Sequence, residues 1–174
     1  VFAAKYNWFK QLLAPLIFTV KSIPVASFII LVLIWVRSAQ LSIVISFLMV
    51  FPIFYENVRK GIEMCDQQLL EMADVFELSS FTRIRYIYTS SILPYFQSAC
   101  SLALGLAWKS GIAAEVIGLP KFSIGEHLQQ AKVYFDTADL FAWTLVIILL
   151  STVLEKLVMA LIRMIIKYIE TECL

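Results

Sequence analysis

Four runs of the chain, at about 12–36, 41–58, 92–117 and 139–165, are apolar over a length that can cross a bilayer. Nothing else in the sequence restricts the possible folds as strongly. In hydrocarbon there is no water to bond a free N–H or C=O, so a spanning segment must satisfy its own backbone, which runs of this length do as α-helices. The predicted fold class is therefore all-α, a polytopic transmembrane helical bundle. Composition agrees: 61% of the 174 residues are hydrophobic, 16% are charged, and mean hydropathy is +0.85, against roughly 45–50% apolar content in soluble domains. The net charge of +1, without a basic cluster, gives no reason to expect nucleic acid. Cys65, Cys100 and Cys173 are far apart with no C-x-x-C pair, which argues against a disulfide or zinc framework.

Each run carries local instructions. Lys5, Trp8 and Lys10 suit a membrane interface ahead of the first span. Ser22-Ile23-Pro24 should kink or break that span, because proline removes a helical donor and clashes with the preceding turn. In the third run Ala99, Ala103, Ala107 and Gly111 recur every four residues, which puts small side chains on one face and lets another helix approach closely. The polar excursion from Gly118 to Phe135 predicts a short helical piece around Glu126 to Lys132. Arg59, Lys60, Arg83, Arg85, Arg163 and Lys167 lie on one side of the predicted spans and Arg37, Lys121 and Lys132 on the other. That bias places the loop at 62–91 and the C-terminus in the cytoplasm.

The loop at 62–91 is too long for a simple connection, and its pattern predicts two short amphipathic helices. In the first, Leu69, Ala73 and Phe76 fall at i, i+4 and i+7, beside Leu70, with Glu71, Asp74 and Glu77 displaced onto other faces. Ser79 or Ser80 can cap the second, where Arg83 and Arg85 alternate with Ile84, Tyr86 and Ile87. The apolar face of such a hairpin needs cover from the membrane surface or from a partner protein. The three carboxylates read most simply as a solvated or arginine-pairing surface rather than a metal cluster.

Glu71-Met72-Ala73, Glu77, Ile87 and Leu93-Pro94 resemble the EAA loop of ABC-importer permeases, and Ala103 to Gly118 (ALGLAWKSGIAAEVIG) is similar to the branch that takes up nitrate, sulfonates and taurine. Ser22-Ile23-Pro24 also resembles this family. The chain departs from the pattern at Met72, at Glu77 where the family has glycine, and at Thr89-Ser90 where a first Leu-Pro is expected. The departure at Glu77 bears on the turn, since glycine adopts a positive φ cheaply and glutamate does not. The resemblance implies one permease domain over 1–174, N-terminally incomplete, in a bacterial inner membrane. It implies a second permease copy, separate ABC ATPase subunits and an extracytoplasmic solute-binding protein. The cytoplasmic hairpin would be the coupling element, with Leu69, Leu70, Glu71, Ala73, Asp74, Phe76, Glu77 and Arg83 at the ATPase.

The remaining candidates are few. The five glycines supply neither G-x-x-x-x-G-K-[ST] nor G-x-G-x-x-G, so no cofactor is expected in this chain, and ATP and Mg would be bound by the partner ATPase. Trp108, Lys109 and Glu115 are candidate pathway residues, because ionisable groups inside a membrane usually face a partner or a wet cavity. Equally, Lys109 and Glu115 could reach interfacial water, and Trp108 could pack or face lipid. Glu155 and Lys156 are expected to snorkel or pair. His127 stands alone, without neighbours at metal-ligand spacing. No nucleophile–base arrangement is evident, so the chain reads as a transport subunit and not an enzyme. Two other classes fit an apolar chain with a polar hairpin: an ion-gradient-driven secondary transporter and a membrane scaffold. The acidic first helix disfavours a surface-lying scaffold, and the lack of a repeat or a mid-membrane acidic pair disfavours the secondary transporter.

Overall fold

The computed structural model describes residues 7–173, and among them all regular structure is helical: α1 Asn7–Ser22, α2 Val25–Leu33, α3 Ser38–Glu63, α4 Gln67–Val75, α5 Ser80–Gly118, α6 Ile124–Val133 and α7 Thr137–Cys173. Lys5, the side chain of Lys10 and the expected opening of the chain inside a helix lie outside the described residues. Helices α3, α5 and α7 are each long and apolar enough to cross a membrane. The first apolar run is not one straight span. It breaks at Ser22–Pro24 into α1 and α2, which meet at 108°.

Helices α3 and α5 form the centre of the bundle, running antiparallel in contact along their length. The stripe of small residues on α5 faces α3: Ala99, Ala103 and Gly111 are buried, and Ala107 is half-buried. Ser46 and Ser42 of α3 donate their hydroxyls to the Ala107 and Gly111 carbonyls, at 2.8 and 3.2 Å. A Cβ on Gly111 would lie 2.9 Å from Ser46 Oγ, so glycine sets this separation. One end of the pair is closed by Gly118 against Leu41, and the other by Gly61 against the backbone of Ile92. Helix α2 lies on the α3–α5 pair, where Ile29, Leu41, Ile45, Met49 and Ala114 make the main buried cluster. Lys21 at the end of α1 is paired with Glu56 of α3 at 2.9 Å.

Helix α7 packs on α5 and α6, yet none of its most apolar stretch is buried within the chain. An apolar stretch facing outward over this length suits a bilayer, where helices associate by packing rather than by escape from water. Helix α4 connects one end of the α3–α5 pair and α6 leaves from the other, so the two short helices lie at opposite ends of the molecule.

Candidate functional site

The hairpin is built from a helix ending and an arginine. Asp66 caps α4, its carboxylate accepting the Gln68 N–H at 2.9 Å. At the other end, Leu78 N–H bonds to Ala73 O and Glu77 N–H to Asp74 O, the paired bonds of a Schellman ending. That ending needs a left-handed residue at its turn, and Glu77 takes it, with φ +50. The turn thus forms despite the missing glycine. Arg83 then locks it: Nε donates to Leu78 O at 2.9 Å, Nη2 to Ala73 O at 3.1 Å, and Nη1 to the Asp74 carboxylate. The last carbonyls of α4 are met by backbone N–H groups, with Arg83 adding a second donor at Ala73 O and one at Leu78 O beyond the helix. Arg83 and Asp74 are thus committed to each other inside the hairpin.

The predicted docking stripe needs a correction. Ala73 is fully buried within the chain, packed with Cys65 and Ile87, and Leu70 leans on the same cluster. Ala73 therefore packs inside the hairpin, with Leu70 half-buried against the same cluster. The stripe was identified by spacing alone, and spacing does not say which way a helix is turned. The outward apolar side chains are Leu69, Met72, Val75 (80% exposed) and Phe76 (69% exposed). Met72 and Val75 escaped sequence reasoning because they fall outside the i, i+4, i+7 series. Glu71 and Glu77 are exposed beside this edge.

The second arm differs from expectation as well. Ser79 caps it, accepting the Thr82 N–H at 3.2 Å, but it is not a separate short helix. It is the start of α5, joined to the span through a π-helical stretch, Arg83–Tyr88.

Between α3, α5 and α7 lies a cleft of about 1040 Å³ that gathers Trp108, Lys109, Glu115 and Glu155, together with Ser42, Ser46 and Ser151. The three serine hydroxyls are engaged with backbone carbonyls. Lys109 and Glu155 have no ion pair among the described residues, and Glu155 does not pair with Lys156. Among the described residues the buried indole N–H of Trp108 has no hydrogen-bond partner. Glu115 is already engaged: its carboxylate accepts the Gly125 N–H at 3.2 Å and so caps α6 from α5. A Cβ on Gly125 would fall 2.3 Å from the Glu115 Cβ, so only glycine allows this crossing. The Glu115–Gly125 contact had no signal in either segment alone. His127 stacks flat on Trp143 with centroids 4.5 Å apart, fastening α6 to α7.

Comparison with known proteins adds a lineage. A family described as the binding-protein-dependent transport system inner membrane component matches residues 1–170. The riboflavin transport system permease protein of Chloroflexus aurantiacus is 24% identical over 166 residues, 95% of this chain and 62% of that protein. The aliphatic sulfonates transport permease protein of Escherichia coli is 31% identical over 134 residues, 75% of this chain and 50% of the relative. Its namesake in Bacillus subtilis is 27% identical over 118 residues, 68% and 42%. The chain thus spans about half the length of these relatives.

Proposed function

The chain belongs to the family of binding-protein-dependent transport system inner membrane components, and on that premise we propose that it is the permease subunit of an ATP-driven ABC importer. The observation that carries this reading is the exposed edge Leu69, Met72, Val75 and Phe76 on a hairpin that is otherwise internally satisfied. An apolar edge on a rigid, acidic helix suits the groove of a protein better than an anionic lipid surface. A separate ATPase would bind ATP and Mg and move this hairpin, and the spans would rock between inward and outward access. A second permease copy, an extracytoplasmic solute-binding protein and lipid complete the assembly.

The cleft holding Trp108, Lys109 and Glu115 is the proposed solute pathway, with Glu155 added to it and Glu115 acting chiefly through its hold on α6. An unpaired charge near the bilayer centre costs about 2.5–3.5 kcal/mol on insertion scales, which favours water or solute beside Lys109 and Glu155. Relatives named for aliphatic sulfonates and for riboflavin support a small organic or oxyanion solute and no finer class.

Phe76→Glu tests the coupling half. The side chain is largely exposed, so the hairpin should still fold, while a carboxylate buried in an apolar contact loses several kcal/mol, about a hundredfold in affinity or more. Co-purification of the ATPase subunit should be lost. The same change at the opposite end, Phe122→Glu, at a residue 96% exposed, should leave it intact. Retention of the ATPase by Phe76→Glu would overturn the proposal.

A further inference from the structure

Within α5 the chain carries one residue more than an α-helix needs. Over Arg83–Tyr88 the backbone is π-helical, and the Thr89 N–H reaches five residues back to Ile84 O. The Thr89 hydroxyl donates to the same carbonyl at 2.8 Å. Such turns are rare, occur mostly as single insertions in α-helices, and concentrate at functional sites. This one lies between two bodies that are each held firmly. On one side is the hairpin, clasped by Arg83 and seated on Ile87 and Tyr88, which belong to the π stretch itself. On the other side the span begins against α3, where a Cβ on Gly61 would lie only 3.0 Å from Ile92 Cα. With the hairpin clasped on one side and the span in close contact on the other, displacement of the hairpin falls on the π stretch first.

We propose that Arg83–Tyr88 is the pivot of α5, and that Thr89 is a positioning residue that holds it in its π register. This inference rests on the coupling role proposed for the hairpin. Exchanging the π turn for an α turn shifts the register by one residue, a rotation of about 100° and a rise of about 1.5 Å. Movement of the hairpin can therefore reorient the span without unwinding it. A proline would interrupt a helix by lacking a donor; here a π turn interrupts α5 with the Thr89 N–H still bonded.

The test is deletion of Tyr86, whose side chain is half-exposed. With one residue removed, α5 can run as an unbroken α-helix with hairpin and span facing as before, but with no second register. The readout is independent of the solute. Gly105 lines the cleft and has open space at its Cβ position, so Gly105→Cys, with the native cysteines replaced, reports access to a maleimide. In the full-length transporter reconstituted with its ATPase, the parent should change its labelling rate at least about fivefold between the nucleotide-free and the ATP–vanadate states. The deletion should keep the ATPase bound and vanadate trapped, with labelling the same in both states. Thr89→Val keeps the chain length and loses only the hydroxyl bond, and its change in labelling should be clearly smaller than the parent's. Parent-like switching in the deletion, or in Thr89→Val should the deletion not fold, overturns the pivot. Failure of the coupling reading is separate: Phe76→Glu would then retain the ATPase and switch normally.

Discussion

Glu77 concentrates much of the physics of the hairpin. A left-handed conformation costs an L-residue with a Cβ about 1–2 kcal/mol, and Glu77 adopts it because two backbone bonds and the Arg83 clasp determine the turn. Glu77→Gly should therefore stabilise the hairpin by about 1 kcal/mol, after allowing for the extra chain entropy of glycine. Amide exchange at Leu78 would then slow roughly fivefold in the reconstituted protein. Glu71→Gly, in the exposed middle of α4, should act in the opposite sense by about 1 kcal/mol. Faster exchange in Glu77→Gly would mean that the Glu77 side chain contributes a contact worth more than the backbone strain. The sequence pointed to this residue, because a glutamate stood where a glycine was expected. It could not tell that the turn survives, since the clasp that reinforces its two backbone bonds comes from Arg83, six residues further on.

At the scale of elements, composition and proline placement were enough to read the helical class and the break at Ser22–Pro24, because hydrogen bonding in lipid leaves few alternatives. The four-residue spacing of Ala99, Ala103, Ala107 and Gly111 was also legible as a close-packing face. Its partner was not: the helix it meets is α3 of the same chain, recognised by two serine hydroxyls that no periodicity reveals. The same limit misassigned Ala73. Continuity of α5 through the loop was hidden for a further reason, since a π turn shifts the register on which amphipathic patterns depend. Gly111→Leu tests the α3–α5 contact directly. A large side chain would meet Ser42 and Ser46 at once, and the helices would have to separate along their length. Monodisperse protein in detergent should fall severalfold, consistent with overpacking that costs about 1–3 kcal/mol. Ile112→Leu, half-buried on the next face, should be close to the parent.

For the whole molecule, the decisive question is which end faces the ATP. Helices α4 and α6 lie at opposite ends of α5, so one topological fact orients the hairpin, the cleft and both loops together. The excess of Lys and Arg around the hairpin and in the C-terminal turns of α7 is the ground for expecting that end in the cytoplasm. Native Cys65 is a poor reporter because it is buried against Ala73. Glu71 and Phe122 are exposed at the two ends and serve better. In a cysteine-free background, Phe122→Cys should react with a membrane-impermeant maleimide added to intact spheroplasts, and Glu71→Cys should react only after permeabilisation. Labelling of Glu71→Cys from outside would put the apolar edge of α4 across the membrane from any ATPase. The pathway residues could still line a cleft in that case, but ATP hydrolysis would have no route by which to move them.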